Sequence, residues 1–239
     1  MTVEILFQEV CGLYGDSQNA VYLQKSLPDA EFIFTELTQT PFFVENTPDM
    51  IYIGCMSESI QRRVIKTLLP LKDRIEELVD AGTVILATGN AGEIFAKSIA
   101  YTAENITVDA FGLFDLTVKT DLFNRYNGKA LGKVGHIDVV GFRSQFSFLY
   151  GDNSQFYFME CTRGRGINMD SKLEGMRKNN LICTQLIGPL LPLNPLFCEY
   201  LIGLTGHQAT AACRDAAMDA YNQRLKEFND PAVAFDEHH

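Results

Sequence analysis

Two hydrophobic periods alternate along the first half of this chain. Short apolar runs at residues 3–7, 31–36 and 49–54 have the length and composition of strands. Between them, apolar positions recur at helical spacing over about 20–27 and again over 58–80. The second pattern is amphipathic and crosses Pro70, which is expected to bend it. The most continuous run, Thr83-Val84-Ile85-Leu86-Ala87, breaks at Thr88-Gly89-Asn90-Ala91-Gly92 before helical spacing resumes at Glu93. This pattern predicts a buried strand turning sharply into a helix. In open α/β folds such a turn presents one side chain above the carboxyl end of the sheet. Strand–helix alternation with short connections predicts an α/β fold with a mostly parallel central sheet and helices on both faces.

The second half has a different pattern. Residues 107–119, 131–150, 155–161 and 181–186 are strand-like, with turn signals at Asn127-Gly128 and Gly151-Asp152-Asn153, so some antiparallel strands are expected. Arg163-Gly164-Arg165-Gly166-Ile167-Asn168 is a glycine-rich loop that offers two guanidinium groups to an anion, although a solvated turn is the simpler expectation. After Asn194-Pro195 two helices are expected, the second with Cys213, Ala217, Tyr221, Leu225 and Phe228 along one face. No repeat, linker or low-complexity stretch divides the sequence. Residues 1–229 are expected to form one domain, and 230–239 a frayed tail ending in His238-His239.

Composition narrows the function classes. The 239 residues suffice for a full core without staples. A net charge of −10, with no basic tract to offset it, disfavours nucleic acid and anionic membranes as partners. The start Met1-Thr2-Val3-Glu4-Ile5 lacks the basic region of a secretory signal, and the apolar stretch 186–204 is broken by Pro189, Pro192 and Pro195. No membrane span is expected. Six cysteines without CxxC spacing and four histidines suggest neither a disulfide framework nor a metal site. A cytoplasmic location and no cofactor are the expectation.

Four segments carry a more specific signal. In chain order they are Leu13-Tyr14-Gly15-Asp16-Ser17-Gln18-Asn19, Val140-Gly141-Phe142, Gly164-x-Gly166-x-Asn168 with Glu174-Gly175, and Gly188-Pro189-Leu190-Leu191-Pro192-Leu193-Asn194-Pro195. Together they resemble class I glutamine amidotransferases of the cobyric acid synthase type, among them the glutaminase subunits of lipid II isoglutaminyl synthases. That family carries Leu-Tyr-Gly-Asp-Arg-Gly-Asn, Gly-Phe-Glu-Asn-His, Gly-Tyr-Gly-Asn-Asn with Glu-Gly, and Gly-Pro-Leu-Leu-Pro-Lys-Asn-Pro. The resemblance spans most of residues 1–205 and implies a single flavodoxin-like domain.

It also implies where glutamine hydrolysis would occur. Such chemistry needs a thiolate nucleophile, a histidine to move the proton, and backbone N–H donors for the oxyanion. The family's cysteine, in Cys-Gly-Gly-Tyr-Gln, falls on Gly89, and its histidine, before Gly-Pro-Leu-Leu-Pro, falls on Ile187. Its oxyanion loop, Ile-Gly-Gly-Gly-Gln-Asp, is here Ile53-Gly54-Cys55-Met56-Ser57-Glu58. Its Glu-Asn-His after Gly-Phe is Arg143-Ser144-Gln145. The implied remnant pocket therefore comprises Gly54, Cys55, Met56, Gly89, Asn90, Glu93, Arg143, Gln145 and Ile187, with no catalytic pair intact. Glycine has no nucleophile and isoleucine carries no proton. Losing such a unit removes on the order of 10⁶ in rate from a hydrolytic triad.

Other residues receive plainer expectations. Gly89 is expected at positive φ, since a side chain on such a turn is strained by about 1–3 kcal/mol. Cys55 is the alternative nucleophile, but with no histidine placed to activate it a space-filling thiol is the simpler expectation. Cys183 is expected in the core, and His136 (in a strand) and His207 (at a helix start) to be structural or solvated. Glu93 is expected to cap the first helical turn, and Tyr14, Asp16 and Asn19 to organise the first loop. Three functions stay open. One is a scaffolding or regulatory subunit that binds a Mur-ligase-like or other synthetase. Another is a small-molecule-binding module using Asn90, Arg143 or Gln145. The third is an active glutaminase that uses Cys55 to supply ammonia for peptidoglycan-precursor or corrinoid amidation.

Overall fold

Alternate residues of each central strand enter two separate cores. The computed structural model describes residues 1–237, so the terminal histidine pair lies outside it. Along the first half run β1 (Thr2–Leu6), α1 (Gln18–Ser26), β2 (Glu31–Thr35) and β3 (Met50–Ile53). They are followed by α2 (Glu58–Leu68), α3 (Lys72–Ala81) and β4 (Val84–Thr88). Pro70 lies in a 3-10 turn over Leu69–Leu71, and its missing N–H divides the expected long helix into α2 and α3.

The middle of the chain is strand-rich, as its pattern predicts. It comprises β5 (Ser98–Tyr101), β6 (Ile106–Asp109), β7 (Thr117–Thr120), β8 (Tyr126–Val134), β9 (Ile137–Gln145), β10 (Ser147–Tyr150) and β11 (Met159–Arg163). The remainder is β12 (Leu173–Glu174), β13 (Met176–Lys178), β14 (Leu181–Thr184), α4 (Leu190–Leu193), α5 (Pro195–Gly203), α6 (Arg214–Asn229) and β15 (Asp236–Glu237).

The central sheet has the order β13-β14-β4-β3-β1-β2 and is parallel except for the edge strand β13. Ile51, Ile53, Ile85 and Ala87 pack with α2 and α3 on one face, through Val64, Ile65, Leu68, Ile75 and Leu78. Val3, Ile5, Met50 and Leu86 pack on the other with α1 and α5, through Leu23, Phe197 and Leu201. Period-two strands between two apolar helix layers give the predicted α/β arrangement. Two smaller sheets, β10-β7-β5-β6 and β12-β11-β8-β15 with β9 on β8, hold most of the antiparallel pairs. Among the described residues, no helix is long and apolar enough to cross a membrane.

Four local expectations are corrected. The turn after β4 leads into a 3-10 segment, Gly89–Phe95, and then into β5, so no α-helix follows it. Six of its seven residues are buried, leaving no polar face for a surface helix. Asn127-Gly128 lies inside β8, and Gly135, at φ 60°, makes the hairpin turn instead. His136 is thus at an exposed turn and His207 in an exposed loop before α6. Residues 230–237 are docked rather than frayed. Phe235 is buried, and β15 pairs with Asn127 and Gly128 of β8.

Candidate functional site

The carboxyl ends of β1, β3 and β4 meet around one buried carboxylate. Asp16, in the loop after β1, accepts from the Cys55 N–H at 2.8 Å, from Asn19 Nδ2 at 2.8 Å and from the Thr88 hydroxyl. Asn19 Oδ1 accepts in turn from the Leu191 N–H at 2.8 Å, which ties the start of α4 to the same knot. Burial raises the Asp16 carboxyl above the usual range, and these hydrogen bonds oppose the rise. Asp16 and Asn19 therefore organise the first loop as expected and also fix the two loops beside it. Tyr14 has a second role. It stands exposed at φ 56°, lines the mouth of the neighbouring cavity and accepts from Arg125 through its hydroxyl.

That cavity holds about 70 Å³ of free space. This is room for a few waters, below the roughly 300–1,000 Å³ of a typical small-molecule site. Seven of the nine residues grouped by the sequence line it: Cys55, Met56, Gly89, Asn90, Glu93, Gln145 and Ile187. Gly89 has φ 59°, the left-handed conformation expected of it. A Cβ built there would stand 2.7 Å from both Cβ and Sγ of Cys55 and 3.1 Å from Ile187 Cγ2. Ile187 is held in place by its N–H, which donates to Phe142 O at 2.9 Å, so the Gly141-Phe142 and Ile187 segments do meet.

Cys55 is not activated. Burial first, and the nearby Asp16 carboxylate second, push its thiol up to about 12. Its Sγ donates to Asn90 Oδ1 at 3.5 Å. Asn90 clips the same loop twice more, accepting from the Met56 N–H at 3.0 Å and donating to Met56 O at 2.8 Å. The N–H groups of residues 55 and 56 are thus both engaged by side chains, by Asp16 and Asn90 respectively.

Glu93 does not cap a helix. It is fully enclosed, and its carboxylate accepts from Gln61 Nε2 at 2.9 Å, from the Ser147 hydroxyl and from Gln185 Nε2 at 3.4 Å. Burial is the main cause raising it to about 7, with those donors pulling the other way. Tyr101 extends the network by donating to Gln61 Oε1 at 2.8 Å.

Arg143 and Gly54 do not line the cavity. Arg143 is buried beneath the glycine-rich loop, where it pairs with Glu174 at 3.1 Å and donates to Gly166 O. A fully buried guanidinium requires such partners, and Glu174 supplies the charge. Glu174 also accepts from Thr184 Oγ1 and the Gln185 N–H, positioning the strand that leads to Ile187. Gly54 packs against Cys11 O and Tyr52, where a Cβ would collide. Arg163 and Arg165 bind the chain itself. Arg163 caps Phe228 O and Val233 O and stacks on Phe235, and Arg165 pairs with Asp236 at 2.9 Å.

Sequence reasoning overlooked Gln61, Ser147 and Gln185. Gln61 carried a legible signal, since it occupies the 61/64/65/68 stripe of α2, a polar residue at a core position. Ser147 and Gln185 follow only from tertiary contact.

No family model matches the chain. The lipid II isoglutaminyl synthase (glutamine-hydrolyzing) subunit GatD of Staphylococcus aureus (strain N315) is 24% identical to it over 205 residues, 84% of this chain and 83% of that protein. Among solved structures, PurLQS from Thermotoga maritima superimposes with a TM-score of 0.53 at 9% identity, covering 94% of this chain and 98% of its own. A crystal structure of a glutamine amidotransferase gives 0.52 at 15% identity, covering 86% and 99%. The likeness to the curated relative runs over most of both sequences, and the chain shares the fold of these solved structures.

Proposed function

We propose that this glutamine amidotransferase-like chain has lost glutaminase chemistry and acts as a binding, scaffolding or regulatory subunit. Its partner would be a Mur-ligase-like or other synthetase, in peptidoglycan-precursor or corrinoid amidation. One observation carries the proposal. The position that the resemblance assigns to the nucleophile is Gly89, and the space its side chain would fill is taken by Cys55 and Ile187. Among the described residues no histidine lines the cavity, and the N–H groups of Cys55 and Met56 are committed within the protein. An oxyanion hole requires such donors to be free and aimed at the developing charge.

Cys55 as a substitute nucleophile is disfavoured by its thiol, held near 12 by burial and by Asp16. At neutral pH almost none of it is thiolate. A partner synthetase is supported by the GatD relative, which is by its name a subunit of a synthase. Labelling with an electrophilic glutamine analogue, read by intact mass with and without a synthetase, tests the proposal. No adduct is expected. An adduct mapped to Cys55 would restore the glutaminase reading.

A further inference from the structure

Arg125 reaches across the mouth of the cavity. Its guanidinium lies over the ring of Tyr14 at 5.4 Å and over that of Phe146 at 5.2 Å, and it donates to the Tyr14 hydroxyl. Both rings line the cavity. They come from opposite ends of the chain, Tyr14 from the loop after β1 and Phe146 from the residue after β9. Arg125 immediately precedes β8, so it bolts the β8–β9 hairpin to the first loop. Tyr14 meets it at φ 56°, a left-handed backbone that a tyrosine keeps only where its surroundings hold it.

The hairpin end that carries this bolt is held from behind by the C-terminal segment. On one edge of β8, Tyr126 and Asn127 pair with Gln145 and Ser144 of β9. On the other edge β11 reaches only as far as Leu131. Over residues 127–129 the described cover of that edge is the tail. β15 pairs with Asn127 and Gly128, and Phe235 O accepts from the Lys129 N–H at 2.8 Å. Asp236 accepts from the Tyr126 hydroxyl at 2.7 Å and from Arg165 Nε and Nη2 at 3.0 and 2.9 Å. Gly128 makes that reach possible, since a Cβ there would collide with the Tyr126 hydroxyl. The Tyr126 ring packs in turn on Phe148, 5.6 Å away. Further back, Arg163 donates to the carbonyls of Phe228, Asp230 and Val233, and Phe235 packs with Leu131, Val140 and Phe228. A terminal strand of this kind opens more readily than the sheet it borders.

We infer that the C-terminal segment 230–237 is a strap that keeps the mouth of the cavity beside Gly89 shut, acting through Tyr126 on the adjoining Arg125. With the strap docked, the start of β8 is fixed and Arg125 rests on Tyr14 and Phe146. With the strap lifted, the Tyr126 hydroxyl and one edge of β8 lose their partners, Arg125 leaves Tyr14, and the cavity opens to solvent. The latch governs access to the cavity and does not depend on the chemistry inside it.

Cys55 reports the state of the mouth, since it lines the cavity and is 5% exposed, whereas Cys183 and Cys198 are sealed in the core. The rate of modification of each thiol by methyl methanethiosulfonate is followed by peptide mass at about pH 8.5. Arg125→Ala and removal of residues 230–239 are each expected to speed modification of Cys55 about tenfold, with Cys183 and Cys198 unchanged. Asp236→Ala and Tyr126→Phe leave Phe235 in place and carry the test if the truncated chain does not fold. Each should speed Cys55 about threefold or more. In the Arg125→Ala background the strap variants should add less than about twofold, because they act through the same bolt. An unchanged Cys55 rate in Arg125→Ala, or in both Asp236→Ala and Tyr126→Phe, overturns the latch. A rise in these two variants that Cys183 and Cys198 share overturns it as well, since the strap then serves only general stability. Full additivity of the strap variants with Arg125→Ala overturns the route through Arg125.

Discussion

A Cβ built on Gly89 falls 2.7 Å from both Cβ and Sγ of Cys55, so in this backbone the two positions cannot both carry a thiol side chain. Overpacking of this kind costs about 1–3 kcal/mol, and a side chain at φ 59° adds about 1–2 kcal/mol. Gly89→Cys is therefore expected to destabilise the protein, and Gly89→Cys with Ile187→His to release no ammonia from glutamine. In the double-mutant cycle of Gly89→Cys with Cys55→Gly, urea unfolding should give a favourable coupling of about 1–3 kcal/mol. Additive costs would separate the two positions and contradict this geometry.

Asp16 holds three loops at once, so its loss should spread. Asp16→Ala leaves the Cys55 N–H, Asn19 Nδ2 and the Thr88 hydroxyl without their acceptor. On the order of 3–5 kcal/mol of stability should go with it, measured as a lowered urea midpoint at constant slope. A loss below about 1 kcal/mol would mean that the loops are positioned by other contacts.

Asn90 should be detectable through one amide. Its side chain closes on Met56 N–H and Met56 O together. Asn90→Ala frees both, with an expected cost of about 1–3 kcal/mol. Hydrogen exchange at the Met56 amide should accelerate while exchange along β4 is unchanged. Unaltered protection at Met56 would contradict the clip.

Glu93 predicts a pH dependence. Its folded-state carboxyl is raised from 4.5 to about 7, so between those values the folded chain binds a proton that the unfolded chain has released. The stability this contributes is fully present below about 4.5 and is lost as pH rises through about 7. Relative to Glu93→Gln, the protein should lose on the order of 3 kcal/mol across that window, measured by urea unfolding at intervals of pH. Parallel profiles for the two proteins would place the titration elsewhere.

Much of the fold was legible because it follows from burial patterns. The parallel strands, the break at Pro70 and the strand-rich middle all come from local periodicity and proline geometry. The Asn127-Gly128 signal misled because a glycine inside a strand has the same local chemistry as one in a turn, and only the pairing of β8 with β9 and β15 separates them. Seven of the nine residues that the resemblance groups around Gly89 and Ile187 line one cavity, because most of the segments that carry them lie at the ends of the adjacent strands β3, β4 and β14. Arg143 went astray for an electrostatic reason. Its charge is drawn to Glu174, thirty-one positions away, a partner that no local pattern reveals. The Glu93 network was hidden likewise, because it joins α2, the turn after β4, β10 and the residue after β14.

Ammonia release from L-glutamine by the purified chain, alone and with a synthetase partner, bears most directly on the central claim. The account predicts release no greater than from Cys55→Ala, with or without the partner. Release by the wild type that Cys55→Ala abolishes would contradict it and make Cys55 the nucleophile.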